Sequence, residues 1–221
     1  MILFSGPLSM FGAKVQIALI EKGIDFQLVM VPYDRNSGYQ PRHPEVLRVN
    51  PKQQMPVLID GDVELFDSTL IFEYLEDCRP APPLWPREPA ARAAARLLEM
   101  KADEVYFPHI VRLMGLQDRP DDPAAVAARD AASRYYLEME ACLADREWLA
   151  GEYTFADIAF YMAALFGERM GAVVGQGTPK LLAWRERMTS RPAVRTVVAA
   201  MADYLSSQGR PVPGWLAAAV R

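Results

Sequence analysis

Residues 50–77, NPKQQMPVLIDGDVELFDSTLIFEYLED, hold the pattern that decides the fold of the first part of the chain. Pro56 stands at the start of a short apolar run, and proline is tolerated in a sheet only at an edge, at a bulge or where a strand begins. Asp60-Gly61 then predicts a tight turn. Residues 63–66 alternate between apolar and polar types. The stretch therefore predicts a β-hairpin that begins at a proline.

A helix is predicted directly after this hairpin. Asp67, Ser68 and Thr69 are residue types that open helices, and apolar residues follow them at helical spacing. Backbone N–H groups in the first turn of a helix lack intrahelical partners, and the helix dipole is positive there. Ser68 therefore marks a place where a carboxylate can bind. Asp67 beside it can hold an ammonium group.

The peptide bond before Pro56 bears on what else such a ligand contains. If the Met55–Pro56 bond is cis, the backbone N–H and C=O of Met55 turn outward and can pair with an extended peptide as another strand would. Together with Asp67 and Ser68, this arrangement suits an amino acid head group joined to a short peptide.

This segment resembles the glutathione-binding half of the glutathione transferase superfamily, whose pattern runs NPxxxVPxLxD, then a hairpin, then an acid-Ser pair that opens a helix. The matching positions are Asn50, Pro51, Pro56, Leu58, Asp60, Asp67, Ser68, Ile71, Tyr74 and Leu75. Two positions depart mildly, because Met55 replaces the usual small aliphatic residue and Asp67 replaces the commoner Glu. The resemblance extends over nearly the whole chain and is strongest in the first third. It implies an α/β, thioredoxin-like first domain that binds glutathione as a co-substrate.

Residues 1–31 predict the opening of that domain. A buried strand over 1–5 is followed by an apolar helix that ends at Lys22-Gly23, and then by a second strand over 26–31. Two strands joined through a helix predict a parallel βαβ unit. With the later hairpin and helix, this is the element order of a thioredoxin-like domain, to which we assign residues 1–78.

Proline density marks the end of that domain. Residues 79–89, RPAPPLWPREP, contain too many prolines for a helix or a central strand and are predicted to be an interdomain linker. From Ala90 onward the composition shifts to Ala, Arg, Leu and Met with helical periodicity, so residues 90–221 are predicted to form an all-helical domain. Pro108 is expected to kink the first long helix rather than end it, because apolar residues resume after it.

One helix start in the second domain is sharply marked. Thr154 and Asp157 occupy the N-cap and N3 positions of a capping box, in which each side chain accepts a hydrogen bond from the backbone of the other. The superfamily has the same buried capping element, preceded, as here, by an LxG turn at 149–151. We assign both residues to stability rather than to catalysis.

Composition limits the classes of function. The 221 residues carry a net charge of −4 and a pI near 5.3, which give no general electrostatic reason to bind nucleic acid or an anionic membrane. Cys78 and Cys142 form no CxxC pair and are too few for a secreted disulfide scaffold. Residues 1–5 lack a basic leader, and no stretch is long enough to span a bilayer. We therefore expect a cytoplasmic protein that uses no metal.

Ser9 is the candidate catalytic residue. Counted back from Val15, it falls where the serine-type classes of the superfamily place the serine that activates glutathione. In that role its hydroxyl donates a hydrogen bond that favours the thiolate over the thiol. The alternative is an ordinary loop or capping serine, which the local sequence alone favours. Met10 and Phe11 occupy positions where other classes place a reactive cysteine, so thiol–disulfide chemistry of the glutaredoxin kind is not expected.

The residues predicted to bind the rest of glutathione are Gln53, Gln54, Met55, Asp67 and Ser68. The two glutamines are expected to hydrogen-bond the glycine carboxylate and the peptide groups, although each is also compatible with a solvated loop. Arg42 and His43 are further candidate partners for a carboxylate.

The leading prediction is a homodimeric transferase, with a role in detoxification, that conjugates glutathione to a small, electrophilic and largely apolar co-substrate. A non-enzymatic regulator is the alternative, because 3–7, 21–23 and 73–75 with 82–84 also resemble stringent starvation protein A, a transcription regulator that contacts RNA polymerase. Against it, Pro80-Ala81-Pro82 replaces the Pro-His-Pro turn of that protein, and Ser9 is retained where it lacks a serine. A glutathione-dependent isomerase is a third possibility, but the SSC motif of that class is absent.

Overall fold

The computed structural model describes residues 1–34, 37–40 and 42–220. Among these residues the chain forms two compact units. The first comprises residues 1–83, 193–210 and 220, and the second comprises residues 84–192 and 211–219.

A four-stranded sheet lies at the centre of the first unit. Its strands are β1 (Ile2–Ser5), β2 (Gln27–Met30), β3 (Val57–Asp60) and β4 (Val63–Phe66), in the spatial order β2-β1-β3-β4. β1 pairs with β2 in parallel and with β3 antiparallel, and β3 pairs antiparallel with β4. The first unit therefore has the thioredoxin-like fold that the sequence predicted. The predicted hairpin forms, with its two-residue turn at Gly61-Asp62, one residue later than the expected Asp60-Gly61.

The helices follow the predicted order. Those of the first unit are α1 (Met10–Glu21), α2 (Pro44–Val49), α3 (Ser68–Cys78) and α9 (Pro192–Ser207), the last of which enters it at residue 193. Those of the second unit are α4 (Pro89–Lys101), α5 (Phe107–Met114), α6 (Pro123–Leu143), α7 (Phe155–Arg169), α8 (Pro179–Ser190) and α10 (Gly214–Ala219). The second unit is helical, as predicted.

The two central strands are buried on both faces. Phe4 of β1 and Val57 of β3 pack with Val31 and with Val46 of α2 in one apolar cluster. Their chain neighbours Leu3 and Leu58, whose side chains point to the opposite face, are also completely buried. Because each face is covered, the register of the sheet is strongly specified.

A buried ion pair holds the end of α1. Lys22 Nζ lies 2.6 Å from Glu76 Oε2 on α3, and both side chains are buried. The same ammonium donates to the carbonyl oxygens of Arg79 at 2.8 Å and Pro82 at 3.0 Å. The pair therefore also fixes the first residues of the proline-rich segment, and its further hydrogen bonds offset part of the cost of burying two charges.

The division into units differs from the predicted domains at α9. The sequence placed all of 90–221 in one helical domain, whereas residues 193–210 lie with the first unit. The apolar stripe of α9 is buried there, and the Tyr204 hydroxyl donates to the backbone carbonyl of Tyr33 at 3.0 Å. Helical periodicity shows that a face is buried but not what covers it. The predicted domain boundaries stay a prediction.

The first long helix of the second unit is distorted before Pro108 rather than at it. Residues Ala102–Tyr106 form a π-helical turn, in which the Phe107 N–H donates to the Ala102 carbonyl, and α5 then begins with Pro108 in its first turn. A proline is tolerated there because its missing N–H has no partner to lose. The helix thus continues past Pro108 as predicted, by way of a wider turn.

No helix in the described part of the chain combines the length and the apolarity that a bilayer span requires.

The predicted capping box at the start of α7 is present. Thr154 Oγ1 accepts from the Ala156 N–H at 3.2 Å, and Asp157 Oδ2 accepts from the Thr154 N–H at 3.0 Å. Asp157 Oδ1 also accepts from the Leu149 N–H at 3.0 Å and from Trp184 Nε1 at 2.9 Å. This one carboxylate therefore joins the preceding turn, the start of α7 and α8.

Burial raises the pKa of the Asp157 carboxyl to about 6, although its hydrogen bonds favour the charged form. Because that value lies above the pKa of an unfolded aspartate, about 3.9, protonation stabilises the fold, and this contribution is lost as the pH rises through about 6. Between about pH 4 and 7 the wild type should lose about 2–3 kcal/mol of unfolding free energy relative to Asp157→Asn, measured by urea unfolding. A difference that stays constant over this range would contradict the assignment.

Candidate functional site

Ser9 lies in the loop after β1 and is the N-cap of α1. Its backbone is extended, with φ −76° and ψ 110°, and its Oγ accepts a hydrogen bond from the Gly12 N–H at 3.1 Å. That bond uses a lone pair of the hydroxyl and leaves its proton available to a ligand. Ser9 is half-buried. The capping alternative and the activating role are therefore compatible with one another in this geometry.

α1 approaches β1 closely at Gly12. A Cβ atom at this position would lie 2.1 Å from Ser5 Oγ and 3.2 Å from Ser9 Oγ. Ser5 is completely buried, as the sequence predicted for this strand residue, and accepts a hydrogen bond from Gln16 Nε2 at 3.0 Å. The missing side chain of Gly12 lets the helix begin where Ser9 caps it.

The loop before β3 is held by Asn50. The side chain of this buried residue donates from Nδ2 to the Gln54 carbonyl at 2.6 Å and accepts at Oδ1 from the Lys52 N–H at 2.9 Å. The Met55–Pro56 bond that follows is cis, which is the isomer that we considered from the sequence. The backbone N–H and C=O of Met55 have no hydrogen-bond partner among the residues that the structure describes. Sequence reasoning noted Asn50 only as a motif match and missed its role in the loop.

Gln53 and Gln54 are exposed at the tip of this loop. Gln53 has a positive φ of 56°, and its side-chain oxygen accepts a hydrogen bond from the Arg42 guanidinium. The structure thus brings together two of the predicted carboxylate-binding residues. His43 is committed elsewhere, because its Nδ1 caps α2 by accepting from the Glu45 N–H at 3.2 Å.

Asp67 and Ser68 form the start of α3. Asp67 is exposed, and its Oδ1 caps the helix by accepting from the N–H groups of Thr69 at 3.0 Å and Leu70 at 3.4 Å. Its φ of 77° is rare for a residue with a side chain and costs on the order of 1–3 kcal/mol, and such strain clusters at functional sites. The second carboxylate oxygen is not used by the cap. Ser68 follows as the first helical residue and is 3% exposed.

A cavity of about 480 Å³ adjoins the loop that carries Ser9. All of its lining residues belong to the first unit: Gly6, Pro7, Ala13, Gln16, Met30, Val31, Pro32 and Tyr33, together with Val197, Ala200, Met201, Tyr204 and Gln208 from α9 and the residue after it. The Ser9 N–H donates to the carbonyl of Gly6 at 3.0 Å, which ties the loop to this wall. The wall is mostly apolar. Sequence reasoning missed the cavity because its two sides lie far apart in the chain.

Lys14 is a second feature that sequence reasoning missed. This lysine of α1 is completely buried, and its Nζ lies 5.2 Å from the centroid of the Phe11 ring and 5.4 Å from that of Phe72. A desolvated ammonium is attracted to ring faces. The signal was present as a lysine inside an otherwise apolar helix.

Other titratable groups do not form a metal centre. Within residues 1–34, 37–40 and 42–220, no group of three or more His, Cys, Asp or Glu side chains is placed to hold a metal ion. His109 is half-buried on α5, and burial together with Arg112 and Arg134 lowers the pKa of its imidazole.

Comparison with known proteins identifies families and proteins that are similar to this chain. The model of the glutathione S-transferase N-terminal domain matches residues 3–83, and that of the C-terminal domain matches residues 99–192. Glutathione S-transferase 3 of Zea mays is 32% identical over 214 residues, which cover 90% of this chain and 93% of that protein. A stringent starvation protein A homolog of Coxiella burnetii is 29% identical over 158 residues, 71% of each chain.

A solved structure has the same fold. A glutathione transferase family member from Pseudomonas fluorescens Pf-5, determined with two glutathione bound, has a TM-score of 0.77 and 26% identity, and the match covers 89% of this chain and 91% of that one. The two domain matches lie in the order in which the thioredoxin-like and helical parts follow one another here. The chain therefore belongs to the glutathione S-transferase family.

Proposed function

We propose that the protein is an active glutathione transferase, in which Ser9 stabilises the thiolate of glutathione and the cavity beside it receives an electrophilic, largely apolar co-substrate. The observation that carries the proposal is the geometry of Ser9. It caps α1 through its lone pair and keeps a proton to donate, in the loop that adjoins the cavity.

The chemistry requires a lower thiol pKa. A thiol with a pKa of about 8.5 must fall by about two to be mostly ionised at neutral pH, which corresponds to roughly 2.7 kcal/mol. A hydrogen bond to a charged acceptor and the positive end of a helix together supply energies of this order. The thiol proton passes to solvent, the sulfur lone pair forms the S–C bond, and the leaving group departs with the electrons of the bond that breaks.

The remainder of glutathione is proposed to bind between the loop before β3 and the start of α3. The hydroxyl and the N–H of Ser68 suit the γ-glutamyl carboxylate, because the N–H groups of Thr69 and Leu70 are already bonded to Asp67 Oδ1. The free oxygen of Asp67 suits the ammonium. The open backbone groups of Met55 suit the cysteinyl peptide, and Gln53 and Gln54 suit the glycine end. The glutathione in the Pseudomonas fluorescens Pf-5 relative supports this choice of ligand.

A binding protein of the stringent starvation protein A type is the second candidate. The similarity to the Coxiella burnetii relative favours this candidate. Residues 79–83 are exposed, and the Lys22 ammonium fixes their backbone by donating to the carbonyls of Arg79 and Pro82. An exposed segment on a fixed support suits recognition by another protein, which for this candidate is RNA polymerase. Such a protein needs neither Ser9 nor glutathione. Glutathione binding therefore separates the two candidates.

The first prediction concerns binding of glutathione, with an expected dissociation constant in the micromolar to millimolar range. Asp67→Asn keeps the cap of α3 but removes the charge, and Ser68→Ala removes the hydroxyl, so each should weaken binding by roughly 1–3 kcal/mol in calorimetry. Asp62→Ala, in the exposed hairpin turn, is the matched control and should bind as the wild type does. If calorimetry detects no heat of binding at several millimolar glutathione, the result favours the second candidate, the binding protein of the stringent starvation protein A type.

The second prediction concerns Ser9. Ser9→Ala should leave glutathione affinity nearly unchanged but raise the pKa of the bound thiol by about one to two, which means about ten- to hundred-fold less thiolate at neutral pH. Conjugation of a chloronitrobenzene should slow comparably and recover at higher pH. The absorbance of the bound thiolate and the conjugation rate are both measured as a function of pH. Ser9→Thr keeps a hydroxyl and a cap and serves as the control. If Ser9→Ala has the wild-type pKa and rate, Ser9 is only a cap.

The third prediction is a two-fold symmetric homodimer, the commonest closed assembly of soluble proteins. Leu97 of α4 and Leu137 of α6 are 54% and 57% exposed, and a second copy that packs on these helices would bury them. Light scattering should report twice the chain mass of 24.7 kDa. Leu97→Glu with Leu137→Glu should shift the mass towards the monomer. A wild type that is monomeric at micromolar concentration would refute the prediction.

A further inference from the structure

We propose that the cavity of the first unit selects co-substrates that carry a hydrogen-bond donor, and that the side-chain oxygen of Gln16 is the acceptor that selects them. The inference rests on the proposed transferase function and adds the chemical class of its co-substrate. That class is an electrophile with an apolar body and a hydroxyl or N–H group.

Gln16 is a polar side chain in a buried setting. It lies on α1, lines the cavity and is only 6% exposed. Its Nε2 donates to Ser5 Oγ at 3.0 Å, and Ser5 is completely buried, so the protein holds the amide in place from the side away from the ligand. The amide oxygen has no partner among the residues that the structure describes. An acceptor without a protein partner gains from a ligand that donates a hydrogen bond to it. A ligand that displaces its water without donating leaves it unpaired.

The other polar side chains of the wall, those of Tyr33, Tyr204 and Gln208, are not buried. The Tyr204 hydroxyl donates to the Tyr33 carbonyl at 3.0 Å, and Gln208 is exposed. The remaining buried side chains of the wall, such as Val31, Val197 and Met201, are apolar. Pockets that discriminate between ligands commonly combine an apolar wall with a few placed polar groups. Gln16 is the buried polar side chain among the lining residues.

The position of Gln16 relative to Ser9 sets the scale of the ligand. Both residues belong to α1 or its cap, and seven residues of helix correspond to a rise of about 10 Å. The electrophilic carbon must approach the thiolate near Ser9, while the donor group reaches Gln16 further along the same helix. A monocyclic aromatic electrophile with a donor opposite its leaving group spans much of this distance.

Binding is tested first with unreactive probes, which need neither glutathione nor turnover. The probes are 4-nitrobenzyl alcohol, its methyl ether and 4-ethylnitrobenzene. They differ in the group opposite the nitro group: the hydroxymethyl group can donate a hydrogen bond, the methoxymethyl group can only accept one, and the ethyl group can do neither. The wild type should bind the alcohol about three- to tenfold more tightly than the other two in calorimetry, as one neutral hydrogen bond allows. Gln16→Met, which has a similar volume and no amide, should bind all three alike. Met201→Leu changes the apolar wall and should keep the preference.

Conjugation is then followed with the corresponding hydroxymethyl, methoxymethyl and ethyl chloronitrobenzenes, each rate divided by its uncatalysed rate. The same preference should appear in kcat/KM and vanish in Gln16→Met. Ser5→Ala/Gln16→Met removes both partners of the buried hydrogen bond, so that no unpaired hydroxyl perturbs folding, and thermal unfolding checks both variants.

The outcomes separate this inference from the proposed function. A preference for the alcohol without glutathione binding or conjugation would refute the transferase and support the assignment of Gln16. Conjugation without that preference, tightest binding of the ether, or a preference that survives Gln16→Met would each overturn the inference and leave the transferase standing.

Discussion

The close approach of α1 to β1 at Gly12 is the contact on which the polar groups of the first unit depend. Any side chain at this position would occupy the space of Ser5 Oγ, 2.1 Å from a Cβ atom. Because the helix can begin here, the Gly12 N–H reaches Ser9, and Gln16 reaches Ser5 two turns later. A single packing constraint thus places a hydroxyl beside the proposed thiolate and an amide on the wall of the cavity.

Buried polar side chains fix the irregular segments of both units. Asn50 holds the loop before β3, Lys22 holds the beginning of the proline-rich segment, and Asp157 holds the turn before α7. In each case the side chain satisfies backbone groups that no regular element can pair. In the proposed glutathione site the loop before β3 matters most, because a loose turn would not present Met55 in a single orientation. A site that must hold an extended peptide needs such support.

Membership of the family fixes the fold more firmly than the chemistry. The relatives of this chain include a maize glutathione S-transferase and a stringent starvation protein A homolog of Coxiella burnetii. The two candidate functions use different parts of one scaffold. The proposed transfer of glutathione would depend on Ser9 and on the start of α3, whereas recognition by a protein partner would depend on the exposed segment at 79–83. Both features are present here, and the hydroxyl of Ser9 is the feature with a direct chemical use.

The sequence by itself determined the elements whose causes lie within a few residues. The hairpin of β3 and β4, the start of α3 at Asp67 and the capping box of Thr154 and Asp157 are all local hydrogen-bond or turn patterns. Proline content likewise predicted that α4 begins at the end of the 79–89 segment. Each could be predicted because the interacting groups are neighbours in the chain.

Only the tertiary structure decided the features that join distant residues. α9 lies in the first unit, and the ammonium of Lys22 is buried against Glu76. Gln16 and Met201 line the same cavity. Periodicity predicted helices within 90–221, and residue types predicted a helix end at Lys22-Gly23. A residue pattern does not show which surface will cover a helix face or a side chain. Packing brings these groups together, because the free energy of burial depends on area removed from water and not on separation along the chain.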